Sequence, residues 1–128
     1  MELVNTTPLI AGSIYGALAI IFGAFGAHAL KKHMTAERLE SFEVGVKYQM
    51  YHAILLLILG LMPAHIHITR AVNIIIIGVF LFSFSIYGLT LSATFKKKIK
   101  ILGPITPLGG VCLVIGWIML LIQFIKLL

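Results

Sequence analysis

Residues 71–95, AVNIIIIGVFLFSFSIYGLTLSATF, run on without one charged side chain. A helix crossing the hydrocarbon of a bilayer, roughly 30 Å thick, needs about 20 apolar residues, so this stretch is long enough to span it. Working outward, three more stretches qualify. Residues 8–30 hold no acid or base apart from His28, residues 45–62 are closed by Pro63, and residues 107–125 run nearly to the end of the chain. With 60% hydrophobic and only 11% charged residues among 128, the chain has lipid as its natural solvent. The fold class read from this pattern is an all-α integral membrane protein. One domain over 1–128 carries four transmembrane helices in an antiparallel up-down bundle, because the connections are too short for anything else.

The connection between the first two spans holds more than a turn. Thr35 followed by Glu37 is a helix-start signature, and Leu39, Phe42 and Val46 recur at helical spacing. This predicts a short interfacial helix over 35–44 that merges into the second span. The residues Met1 to Asn5 lack the positive region of a secretory signal, so the first helix is expected to stay in the mature protein.

Lys and Arg set the orientation. Lys31, Lys32, Arg38 and Lys47 fall at the first connection and Lys96, Lys97, Lys98 and Lys100 at the third, whereas the opposite side offers only Arg70 and Lys126. The positive-inside rule then places both termini of this multi-pass cell-membrane protein outside the cytoplasm. A formal net charge of +6 raises the question of nucleic acid. Confinement of the cations to loops between spans fits a bilayer and its anionic lipids instead, so no nucleic-acid partner is expected. Cys112 is the sole cysteine, which excludes an internal disulfide or a cysteine zinc cluster.

Helices associate in lipid through small residues that let backbones approach. Gly12, Gly16 and Gly23 in the first span, and Gly109 and Gly116 in the fourth, supply such faces. They serve packing within the bundle or a homo-oligomer, and a four-helix monomer already needs the former. Ser83, Tyr87, Thr90 and Thr94 form a hydroxyl stripe on the third span, either lining a polar path or bonding to neighbours and to carbonyls of their own helix. Trp117, near the middle of the fourth span, needs an acceptor for its indole N–H.

Ionisable groups at membrane depth are costly and carry a functional hypothesis by default. Glu43 and Lys47 stand four apart in the favourable order for a salt bridge, and Tyr48 and His52 form a second such pair on another face, which Gln49 extends. The topology gathers them with His28 and with the start of the fourth helix, where Thr106 reads as a cap and Pro107 as the first helical residue. That helix start would attract an anion. His28, Glu43, Lys47, Tyr48, Gln49, His52 and Thr106 are therefore the ligand or proton site candidates. The alternative is that they are an interfacial ion pair and locally satisfied hydrogen bonds. His65 and His67 lack a carboxylate or thiol nearby and do not read as a metal site. No Asp exists anywhere, and nucleophile elbow, phosphate-binding loop and zinc-protease motifs are all absent, so neither an enzyme nor a cofactor is expected.

Three runs, Gly23-Ala24-Phe25-Gly26-Ala27-His28-Ala29-Leu30, Phe42-Glu43-Val44-Gly45-Val46-Lys47-Tyr48-Gln49-Met50-Tyr51-His52 and Gly103-Pro104-Ile105-Thr106-Pro107-Leu108-Gly109-Gly110, appear in order. Together they resemble the YgdD-like small membrane proteins, the domain-of-unknown-function 423 family, whose animal relatives are called transmembrane protein 256. The resemblance covers nearly the whole chain and implies a four-helix membrane fold without an established activity. Its motif residues correspond to His28, Glu43, Lys47, Tyr48, Gln49, His52, Pro104, Thr106 and Pro107. The functional expectation is binding or transport of a small ligand, a proton or a lipid headgroup at a cytoplasm-facing cluster, with His28 and His52 titrating. The rival is a structural or accessory subunit whose Lys96, Lys97, Lys98 and Lys100 contact anionic lipid.

Overall fold

Lipid offers a bare backbone no hydrogen-bond partner, so a chain this apolar must close its own bonds, and helices do so within one segment. The computed structural model describes residues 4–128, and the expectation for residues 1–3 lies outside them. Four helices long and apolar enough to span a membrane follow one another: α1 (Thr6–Ala27), α2 (Ala36–Gly60), α3 (Thr69–Phe95) and α4 (Ile105–Ile125). The segment read as 35–44 is helical and forms the first turns of α2, without a break before the span. Thr35 caps it, its hydroxyl accepting from the Arg38 amide at 3.3 Å. Gly45 does not interrupt the helix. Its role is close approach, since a Cβ there would meet the Tyr87 ring at 2.9 Å.

At the start of α4 the structure corrects the sequence reading. The helix begins at Ile105 with Pro104 at the cap position, and Thr106 does not cap it. Proline's fixed φ is already helical, and the first-turn amide that Pro107 lacks would have had no partner in any case.

The helices pack antiparallel in sequence order. Gly12 lies against the Ala53 carbonyl, Gly26 against Phe42, and Gly60 against Leu9, which sets α1 on α2. Gly16 faces Ala53 and Gly23 faces Val46 on the same seam. Gly78 faces Leu113, Gly109 faces the Phe82 backbone, and Gly116 faces Ile75, which sets α3 on α4. The α3 helix is the centre of the arrangement, touching the other three, whereas the α4 backbone approaches only α3 among the spans. Midway along it, Phe80–Phe84 widen into a π turn where α4 packs. Leu56, Val72, Ile75 and Val79 form the core there, and Leu30, Met34, Phe42 and Tyr87 form a second cluster at the lysine-rich end. Ile20, Ile58 and Leu121 are each more than half exposed. Such an apolar girdle suits acyl chains and would aggregate in water.

Candidate functional site

The interior polar groups are built into one another. Gln49 is fully buried, and its carboxamide donates to the Tyr15 carbonyl at 2.8 Å while accepting from the Tyr87 hydroxyl at 2.6 Å. Tyr15 in turn donates its hydroxyl to the Ile76 carbonyl at 2.7 Å, and Ser83 donates to the Gly45 carbonyl at 2.7 Å. These bonds tie α1, α2 and α3 together through the middle of the bundle. The remaining hydroxyls of the α3 stripe turn back on their own helix, Thr90 to the Ile86 carbonyl and Thr94 to the Thr90 carbonyl, both at 2.8 Å.

His52 closes the link to α4. Indole N–H can only donate, so the 3.1 Å contact from Trp117 Nε1 makes His52 Nε2 an acceptor. The proton of the neutral ring then sits on Nδ1, which donates to the Tyr48 carbonyl at 2.7 Å. Both ring nitrogens are thus engaged, and a second proton on Nε2 would set donor against donor. Among the described residues, every buried side-chain nitrogen and oxygen has a partner.

Of the seven residues expected to gather, the structure brings together only some. Gln49 and His52 are buried in the network, and Tyr48 contributes its carbonyl, but its ring is partly exposed against Phe82, with centroids 5.1 Å apart. His28, Glu43 and Lys47 are all exposed and face away from the interior. His28 lies beside Lys31 and Lys32 in a surface depression on the first connection. Helical rotation explains the outcome. Glu43 and Lys47 are one turn apart on the outer face, and the buried face holds Phe42, Gly45, Gln49 and His52.

Thr106 lies elsewhere, in a cavity of about 790 Å³ at the lysine-rich end between the start of α2, the end of α3 and the start of α4. Glu37, Arg38 and Ser41 line it from α2, Thr90 from α3, and Lys98 from the third connection. Below them Val44, Ile86 and Leu89 form an apolar wall. Hydrogen bonding fixes what the hydroxyls offer. Ser85 donates to the Phe82 carbonyl at 2.9 Å, so in its 2.6 Å contact with Thr106 the threonine is the donor. With their protons committed, Thr90 and Thr106 have only acceptor capacity left. The vestibule therefore combines two cations, one carboxylate and hydroxyl acceptors above an apolar wall. Sequence reasoning missed Glu37, Arg38, Ser41 and Lys98 as a group. The signal was the spacing of 37, 38, 41 and 44, which shares one helix face.

The two histidines after Pro63 are exposed, and among the described residues no three His, Cys, Asp or Glu side chains converge as metal ligands. Residues 22–110 match the family described as protein of unknown function DUF423. The chain is 41% identical over 120 residues to a UPF0382 membrane protein of Staphylococcus aureus, covering 92% of this chain and 94% of that one. It is 38% identical over 122 residues to the UPF0382 membrane protein YwdK of Bacillus subtilis, covering 92% and 95%. No solved structure matches.

Proposed function

Because the chain belongs to the DUF423 family, whose description assigns no activity, we propose a function from its own residues: a non-catalytic membrane protein that holds a zwitterionic phospholipid headgroup in the vestibule. The observation that carries this is the charge pattern of the cavity. Arg38 and Lys98 suit a phosphodiester, Glu37 with the acceptor oxygens of Thr90 and Thr106 suits a primary ammonium, and Val44, Ile86 and Leu89 suit the first acyl carbons. An aminophospholipid carries all three chemistries in one molecule. Eight of the ten Lys and Arg residues cluster at this end, which supports a cytoplasmic vestibule, termini on the other side, and anionic lipid around Lys96, Lys97, Lys98 and Lys100.

The interior supports binding over transport. Among the described residues its buried polar groups are mutually satisfied and both nitrogens of His52 are occupied, so none stands open to an incoming ligand or proton. The same satisfaction favours a second reading, an accessory bundle with no ligand, in which the network only locks four helices together.

One experiment separates the two. In phosphatidylcholine nanodiscs doped with phosphatidylethanolamine, native mass spectrometry counts the lipids retained. A membrane-proximal cation contributes about 1 kcal/mol, so R38Q/K98Q is expected to weaken phosphatidylethanolamine retention about 30-fold. E37Q is expected to narrow its preference over phosphatidylcholine. Equal retention by wild type and R38Q/K98Q leaves the accessory bundle as the reading.

A further inference from the structure

The two remaining cations, Arg70 and Lys126, stand 56 positions apart in sequence, yet they line one cavity at the far end of the bundle from the vestibule. Arg70 is in the first turn of α3 and Lys126 directly follows the last turn of α4, so antiparallel packing delivers both to the same depth. The cavity measures about 480 Å³, within the range of small-molecule sites. Thr69 and Gln123 add neutral hydrogen-bonding groups beside the cations, and Met119 and Ile122 supply apolar contact.

Among the described residues its lining contains no carboxylate. Three of the four acidic side chains, Glu37, Glu40 and Glu43, are on the first turns of α2 at the opposite end, and Glu2 precedes the described residues. Two cations sharing a cavity without an acid repel each other, and an anion between them reverses the sign of that interaction. Snorkelling to an interface requires only that each side chain reach water, not that two from different helices converge. Their position at the ends of membrane spans is the level of the phosphates of a leaflet.

We propose that this cavity is a second lipid site, on the opposite face from the vestibule, that binds the phosphodiester of a net-anionic phospholipid such as phosphatidylglycerol. Arg70 and Lys126 hold the phosphate, Gln123 and Thr69 reach the glycerol hydroxyls, and Met119 with Ile122 receives the start of the acyl chain. The absence of an acid among the described residues of the lining is what sets its selectivity apart from that of the vestibule, where Glu37 favours an amine. This site shares no residue with the vestibule, so it stands or falls independently of the function proposed above.

The test uses the full chain in phosphatidylcholine nanodiscs titrated with phosphatidylglycerol, the retained lipid being counted by native mass spectrometry. R70Q/K126Q is expected to weaken retention about 30-fold, whereas K31Q/K32Q, which removes two cations at the other end that lie outside the vestibule lining, keeps the site at full strength. Unchanged retention in R70Q/K126Q overturns the proposal, and so does an equal loss in both double variants, which indicates only diffuse charge attraction. In detergent without phospholipid, inorganic phosphate separates the sources. Thermal stabilisation by phosphate that R70Q/K126Q abolishes, with no phosphatidylglycerol retained in nanodiscs, assigns the site to a free anion and overturns the lipid. If the double variant does not fold, R70Q and K126Q singly are each expected to lose about fivefold. No loss in either overturns the proposal.

Discussion

Adding one methyl group at Gly109 tests whether α4 is seated on the π turn as closely as the structure places it. A Cβ there would run into the Phe82 nitrogen and lie 2.7 Å from its Cα and 2.8 Å from the Leu81 carbonyl carbon. All three are backbone atoms, which no rotamer change can move. Ordinary contact begins near 3.4 Å, so Gly109→Ala forces α4 away from α3 by about 1 Å. A gap of that size forfeits a quarter to a half of the dispersion energy of each facing pair. It also stretches the 2.6 Å bond between Ser85 and Thr106, less than one turn along α4. Overpacking costs about 1–3 kcal/mol and a side-chain hydrogen bond in a membrane about 0.6, against a gain of about 1 from replacing glycine in a helix. The expected net loss is about 0.6–2.6 kcal/mol. Gly16→Ala is the control, because its Cβ would meet only the Ala53 Cβ at 3.8 Å, and it is expected to be neutral or slightly stabilising. Trp117 is the sole tryptophan, so its fluorescence follows α4 through unfolding by sodium dodecyl sulfate in mixed micelles. Unfolding free energies for G109A and G16A within about 0.5 kcal/mol of each other would refute the close seating.

Two further outcomes probe the interior. Gln49→Leu removes the bridge between Tyr15 and Tyr87 at comparable volume and is expected to cost about 1–2 kcal/mol in the same titration; wild-type stability would mean that the carboxamide bonds contribute nothing. A double-mutant cycle with His52→Ala and Trp117→Phe is expected to give a coupling of about 0.6–1.7 kcal/mol, and a coupling near zero would contradict the hydrogen bond that joins α2 to α4.

The four spans were legible because lipid imposes length and apolarity on every crossing segment. The uncharged run 71–95 nearly coincides with Thr69–Phe95, and 107–125 with Ile105–Ile125. Rotation about each helix axis was not legible. In water, the apolar face of a helix marks the core, but here Ile58 faces lipid and Leu56 is fully buried, and their side chains give no hint which is which. For that reason Glu43 and Lys47 could be placed at the right depth and still face the wrong way for a common site with His52. Tyr15 escaped notice because a lone tyrosine in an apolar run has no sequence partner, and its acceptor is a carbonyl 61 residues on. The π turn at Phe80–Phe84 likewise has no sequence signature in Phe-Leu-Phe-Ser-Phe, although it sets the phase of Ser83, Ser85 and Tyr87.

The bond between Trp117 and His52 also has a meaning in time. A ribosome adding 5–20 residues per second needs about 3–13 s to make the 65 residues that separate the two. Through that interval the nascent α2 carries an imidazole acceptor without its indole, and for much of it a carboxamide without Tyr87. A chain truncated before α4 would keep the first of these defects permanently. The polar centre of α2 is therefore complete only once α4 has been made and seated against it.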